Sequence, residues 1–349
     1  MEQNSSINKD NRIEYIDYIK AFACFLVVLG HLIQSLQKSG IDQYRNITTF
    51  INWFIYLFHM PLFMCMSGFL YTKNKKRFTW SEYRKFEIKK IINLIIPYIT
   101  FYLLSVFINM MMAKSVNTVR GVKDILNMFN NPIAPYWFLY ALLSIFIVIP
   151  IMERICKDKY TIVFSILVVM KIIGIFIHTN IYFIDSIMNY AIYFYLGCFF
   201  NKRKNINKNI INVILAILYI CICITIYFIK DSINMYVYKL IAVVLAVIGI
   251  YVLVSIFIKV SHSRVLDTFK RYTFQVFLTH TIFAAGARIL LLKIGIKNYF
   301  IQFVIGMVVS IYVPVLVSII SNKIVYTDFV FYPTKTIEKI KGRNMKNAN

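Results

Sequence analysis

Apolar residues run along this chain in blocks of about twenty, each bounded by polar or basic positions. Ten blocks stand out, at roughly 15–36, 48–72, 91–112, 135–152, 160–178, 181–200, 210–229, 235–258, 272–292 and 299–322. A bilayer's hydrocarbon core takes about 20 apolar residues in helical rise, and continuous runs without a two-residue alternation predict helices, not a barrel. The expected fold class is therefore all-α, a polytopic bundle of about ten transmembrane helices. The connections are too short to fold separately. One membrane domain, 15–332, is expected between an N-terminal tail, 1–14, and a basic tail, 333–349, whose ending TIEKIKGRNMKNAN reads as solvated or lipid-associated. The connection AKSVNTVRGVKDILNMFNNPIAP has room for a short amphipathic helix but no domain.

Composition strengthens this reading. Of 349 residues, 59% are hydrophobic and 15% charged, and the mean hydropathy of +0.66 excludes an ordinary soluble globular domain. A net charge of +24 would point to nucleic acid in a soluble protein, but here location decides. The N-tail, alternate connections and C-tail hold 27 Lys and Arg, against 8 in the other connections and 4 within spans. That asymmetry predicts both termini in the cytoplasm, a multi-pass protein of the cell membrane, and basic loops facing anionic lipid instead of nucleic acid. The first block lacks a small-residue cleavage pattern and reads as a retained span. Six cysteines show no metal-ligand spacing, so no metal site is expected.

Candidate chemistry begins in the first span, KAFACFLVVLGH. Positions eleven apart on a helix return to within about 20° after three turns and roughly 16 Å of rise, so Lys20 and His31 share a face. Asp17, Cys24, Gln34 and Ser35 fall within about 60° of the same line, giving a polar stripe directed to the bundle interior. The bland alternative is an Asp17–Lys20 ion pair near the cytosol with His31 a satisfied interior histidine. The second span places His59 two residues before Pro61, a kink that frees a backbone group for the histidine, with Ser67-Gly68 near the other end. Lys85, Lys89 and Lys90 at the mouth of the third span are either a positive-inside anchor or an attractor of a phosphorylated ligand. Tyr136 and Trp137 in PYWFLYALL are an interfacial belt or part of a site. His280 and Arg288 lie within the ninth span, with Arg288 either in the site or paired to a carboxylate such as Asp185. His178, in an expected turn, and His262, in a loop, receive no role.

Together, YIDYIKAFACFLVVLGH, FHMPLFMCMSGFLY, KKIINLIIPY and PYWFLYALL, with FQVFLTHTIF as a looser fifth stretch, resemble the membrane acyltransferase-3 family over Glu14 to about Ile282. The family's first-span pattern is a basic residue, usually arginine, ten residues, then histidine; Lys20 departs from it, keeping charge but losing the bidentate fork. The resemblance implies transfer of an acyl group, most often acetyl from cytosolic acetyl-CoA, to a hydroxyl of a surface glycan or lipid-linked sugar, alone or with polysaccharide assembly machinery. It implies His31 as base or acyl carrier, Lys20 as a charge near the donor and His59 as a second catalytic residue. Lys85, Lys89, Lys90 and Ser67 would meet coenzyme A, while Tyr136, Trp137, Asp17, His280 and Arg288 would shape the acceptor side. A base of near-neutral pKa suits a sugar hydroxyl. Competing expectations are the same fold with another acyl group such as succinyl, a flippase or transporter of lipid-linked sugars, which predicts internal repeats that the sequence does not display, and a polysaccharide polymerase, which needs a longer external loop.

Overall fold

The structure, a computed structural model of the 349-residue chain, describes residues 3–75, 80–200, 209–258, 267, 269–321 and 325–347. Its long helices are α1 (Gln3–Lys38), α2 (Arg45–Lys75), α3 (Trp80–Met111), α5 (Trp137–Ile155), α6 (Tyr160–Phe176), α7 (Tyr182–Phe200), α8 (Asn209–Ile229), α9 (Met235–Phe257), α10 (Thr273–Lys293) and α11 (Tyr299–Ser321). The short α4 (Val122–Leu126) precedes α5, and α12 (Val325–Phe331) and α13 (Pro333–Asn347) follow α11. Among the described residues there is no strand, as lipid requires of a chain whose backbone groups must be satisfied within each segment. Nine helices among them are long and apolar enough to cross a membrane. The tenth expected span, α6, has 17 residues, about 25 Å of rise, at the lower limit for spanning. The basic segments 76–79, 201–208 and 259–266, the last with His262, lie outside the described residues.

Helix α1 is the axis, packing on α2, α9, α10 and α11. Its interior face is almost closed: Ile16, Ile19, Ala23, Cys24 and Leu36 are fully buried. The outer helices α8 and α11 instead turn Ile214, Ile217, Phe228, Val304 and Leu316 outward, as apolar side chains facing lipid tails do. Helix α2 docks against α7 through reciprocal glycines. A Cβ on Gly68 would stand 1.7 Å from the Phe194 carbonyl oxygen, and one on Gly197 would stand 1.9 Å from that of Cys65. Small residues let the two backbones touch, the main source of helix association where the surroundings are as apolar as the core. Beside this seam, buried Glu153 accepts from the Tyr71 hydroxyl at 2.6 Å and the Tyr195 hydroxyl at 3.3 Å.

Two segments outside the spans pack on the bundle. The segment between α3 and α5 folds back onto the bundle: Tyr102 donates to the Asp124 carbonyl at 2.8 Å, Tyr98 donates to the Met128 carbonyl, and Ile133 is buried. The basic tail, expected to be solvated or lipid-associated, begins as α13 and docks on α3. There Asn93 donates to the Thr334 hydroxyl at 2.9 Å and Lys89 pairs with Glu338 at 2.6 Å. Thr336 is fully buried.

Candidate active site

Helices α1 and α10 run side by side in parallel, and one register carries the site. Tyr18 donates to Asp267 at 2.7 Å, the Cys24 thiol donates to the Thr273 carbonyl at 3.4 Å, and the His31 and His280 rings lie 5.3 Å apart. Each pair is 249 residues apart in sequence. One turn beyond His31, Arg288 Nη1 donates to the Ser35 carbonyl at 3.2 Å. The polar stripe of α1 therefore faces the polar face of α10. Arg288 is 3% exposed and in no ion pair among the described residues. Asp185, the carboxylate considered for it, instead accepts from the Thr179 backbone N–H and hydroxyl at 2.9 and 2.8 Å.

The end of the bundle where α1 begins contains a cavity of about 420 Å³. Asp17, Lys20, Ser67, Lys90, Asn93, Lys270 and Arg271 supply its polar lining, and Phe63, Phe138 and Phe277 are among its apolar walls. Lys20 is 3.0 Å from Asp17. Lys270 is held between Asp267 at 2.7 Å and Glu14 at 3.1 Å; the Asp267 carboxylate, helped by Glu14 and Tyr18, pushes its ammonium above the usual lysine range. No ion pair among the described residues engages Lys90 or Arg271, which leaves both side chains available to an anionic guest. Lys85 and Lys89 are exposed and do not line the cavity. Ser67 lines it while donating to the Phe63 carbonyl at 2.9 Å.

At the opposite end, a second cavity of about 390 Å³ is bounded by α2, α5, α6, α7 and α9. It receives His59, Tyr56 and Trp137 from the sequence motifs or their neighbours, together with Lys171, His178, Asn189, Tyr190 and Lys239. His59 donates through Nδ1 to the Ile55 carbonyl at 2.7 Å. That is not the carbonyl that Pro61 frees, which belongs to Leu57, four residues before the proline. The bond leaves Nε2 of His59 as the lone-pair nitrogen. Tyr136 does not reach this cavity: fully buried, it donates to the Leu278 carbonyl at 3.1 Å and braces α10 beside His280.

Between the cavities runs a file of rings. Phe277, in the wall of the first cavity, is followed by His280, His31, Tyr56 and His59, the last two in the wall of the second. Successive centroids are 6.2, 5.3, 6.4 and 4.6 Å apart. His280 donates through Nδ1 to the Phe277 carbonyl at 2.8 Å and to that of Val276 at 3.1 Å. Its Nε2, a buried lone pair, has no partner among the described residues. Three imidazoles thus stand in one file of packed rings between the cavities, and two of them have their tautomer set by backbone carbonyls. Among the described residues no group of His, Cys, Asp and Glu has the arrangement of a metal centre.

Of the residues singled out in the sequence, Asp17, Lys20, Ser67 and Lys90 line the first cavity, His59 and Trp137 line the second, and His31 and His280 stand in the file between them. Arg271 and Asn93 in the first cavity and His178, Lys171 and Lys239 in the second were not among the candidates. Two of these carried a signal, since Lys171 and Lys239 are cations within apolar spans.

A helical membrane bundle with a cationic pocket at one end, a polar aromatic pocket at the other and histidines between them has the parts of a group-transfer enzyme built into the membrane. The chain belongs to the acyltransferase-3 family: a family model described as an acyltransferase domain matches residues 13–319. The nodulation protein NolL of Sinorhizobium fredii is 29% identical over 142 residues, covering 41% of this chain and 37% of the relative. NolL of Mesorhizobium japonicum is 30% identical over 146 residues, covering 41% and 36%. Each match thus spans little more than a third of the curated relative. No solved structure matches the chain.

Proposed function

We propose that this acyltransferase moves an acetyl group from acetyl-CoA, taken up in the first cavity, to a hydroxyl of a cell-surface polysaccharide or its lipid-linked precursor in the second. The observation that carries this reading is the ring file, which joins two differently equipped cavities through three histidines. In this reading both termini are cytoplasmic and the membrane is the plasma membrane, consistent with the concentration of basic residues on the α1 side. Lys90 and Arg271 meet the phosphates of the donor, and the Phe63, Phe138 and Phe277 walls exclude water from its apolar arm. The donor supplies the acyl group already activated as a thioester. A sugar hydroxyl is a weak nucleophile, and a neutral imidazole takes its proton as the C–O bond forms. His31 fills that role, at the middle of the file between His280 and Tyr56, where the acyl end of a donor from the first cavity and a hydroxyl from the second have to meet. The C–S bond breaks, and the proton held by the imidazole leaves with the thiolate as coenzyme A. Lys20, three turns from His31 and paired with Asp17, acts on the donor side.

The test is transfer of labelled acetyl from acetyl-CoA by the protein in nanodiscs supplied with membrane-derived glycan. Lys90→Ala is expected to raise KM for acetyl-CoA by roughly 10- to 100-fold, the range for losing one charge-assisted contact, with little change in kcat. Lys89→Ala, whose ammonium is engaged by Glu338 outside the cavity, is expected to change KM less than about threefold, as an exposed pair of this kind contributes about 0–1 kcal/mol. Equal effects of the two substitutions would remove Lys90 from the donor site. Absence of both transfer and acetyl-CoA binding in the wild-type protein would overturn the function.

A further inference from the structure

Four cations lie within the apolar spans: Lys20, Lys171, Lys239 and Arg288. Lys20 has Asp17 at 3.0 Å, and Arg288 has the Ser35 carbonyl. Lys171 of α6 and Lys239 of α9 differ from both, because they converge on one cavity, the second, and neither has a carboxylate within ion-pair distance among the described residues. Lys171 Nζ donates to the Asn189 side-chain and backbone oxygens at 3.1 and 3.2 Å. Lys239 Nζ donates to the Ile175 carbonyl at 3.3 Å, at the last turn of α6. All these acceptors are neutral. Among the described residues no Asp or Glu lines the cavity that the two lysines share. Asp185, one turn before Asn189 on α7, is turned away to Thr179.

Lys239 stands in the second turn of α9 and Lys171 in the turn before the last of α6, and two like charges converging inside the spans with no carboxylate beside them among the described residues point to a functional site. Carbonyl oxygens satisfy their hydrogens but do not neutralise them, so an anion entering here gains a charge-assisted contact from each lysine. The remaining walls favour a sugar. Trp137 and Tyr190 form an aromatic pair with centroids 5.2 Å apart, and Trp53 donates to the Tyr238 hydroxyl at 2.8 Å. Such a surface offers flat apolar faces with polar edges, as sites for small polar ligands do.

We infer that the second cavity selects an anionic acceptor: a glycan carrying a carboxylate or phosphate, held by Lys171 and Lys239, with its reacting hydroxyl directed to the file at His59 and Tyr56. The inference rests on the transferase reading for the word acceptor, but the anion site is testable without turnover. Trp53 and Trp137 line the cavity, so their fluorescence reports occupancy. The probes are tetragalacturonate and glucose 1-phosphate as anionic sugars and maltotetraose as a neutral one, titrated into the full chain in phosphatidylcholine nanodiscs. A parallel series contains phosphatidylglycerol, because a lipid headgroup presents the same phosphate chemistry.

The expected result is binding of the anionic sugars at least tenfold tighter than maltotetraose. That preference is lost in K171Q/K239Q, which keeps stem length and hydrogen bonding, and regained in K171R/K239R, which keeps the charge. Recovery in the arginine pair separates a charge effect from misfolding. Equal affinity for neutral and anionic sugars, or a preference unaltered in the glutamine pair, would overturn the inference. So would loss of sugar binding in phosphatidylglycerol nanodiscs alone, which would assign the lysines to lipid. Anion binding with neither acetyl transfer nor acetyl-CoA binding would leave the site standing and remove the transferase reading; transfer without anion selectivity would do the reverse.

Discussion

Replacing His31 with alanine is expected to lower acyl transfer by about 10²- to 10⁴-fold, the usual contribution of a positioned general base, while acetyl-CoA binding stays near the wild-type level. The separation follows from geometry. His31 is one of the three imidazoles between the cavities and does not line the first one, where the donor is placed. Its neighbour His280 is fully buried, with Nδ1 engaged by two backbone carbonyls and Nε2 without a partner among the described residues. That lone pair can accept an N–H from His31 and leave the other nitrogen of His31 as the base. His280→Ala is accordingly expected to cost less than His31→Ala and to act through kcat. The measurement is steady-state transfer alongside equilibrium binding of acetyl-CoA. Wild-type turnover in His31→Ala would remove the residue from the mechanism, and a matched loss of donor binding would make its role structural.

The second large effect concerns the seam beneath the site. Gly68→Ala is expected to destabilise the bundle by at least about 3 kcal/mol, the upper part of the range for overpacking, and to reduce the yield of monodisperse protein. The added methyl would stand 1.7 Å from the Phe194 carbonyl oxygen. This obstacle is backbone, so relief requires α2 and α7 to move apart, and Ser67 with its cavity wall moves with α2. Gly286→Ala is the control: it also lies within a helix, but nothing stands within 4 Å of its would-be Cβ. That substitution is expected to be neutral or slightly stabilising, since alanine is the better helix former by about 1 kcal/mol. Thermal unfolding followed by size-exclusion chromatography distinguishes the two. Equal stability of both variants would show that the glycine seam contributes nothing to the fold.

The spans were largely legible because a bilayer imposes a length and a composition that a linear sequence displays directly. The stripe on α1 was legible for a similar reason: helical periodicity sets which positions share a face. Periodicity also shows the limit at α3. Lys89 and Lys90 are adjacent, hence about 100° apart on the helix, and only one can face a given cavity. The structure turns Lys90 inward and leaves Lys89 to Glu338, a partner 249 residues away that no local pattern indicates. His178 received no role because it lies in the short connection after α6, yet that connection brings it to the second cavity.

Sequence alone determined that the chain is a helical membrane bundle, that its first span hides a lysine and a histidine on one face, and that it resembles a family of acyltransferases. Tertiary structure decided what those residues meet. The register of α1 beside α10, which brings His31 to His280 and Ser35 to Arg288, is a relation between distant segments. So is the convergence of Lys171 and Lys239 on the cavity of His59. Hydropathy and periodicity constrain each helix separately. Which faces oppose one another is set by close packing between helices, down to glycine contacts that no single helix records.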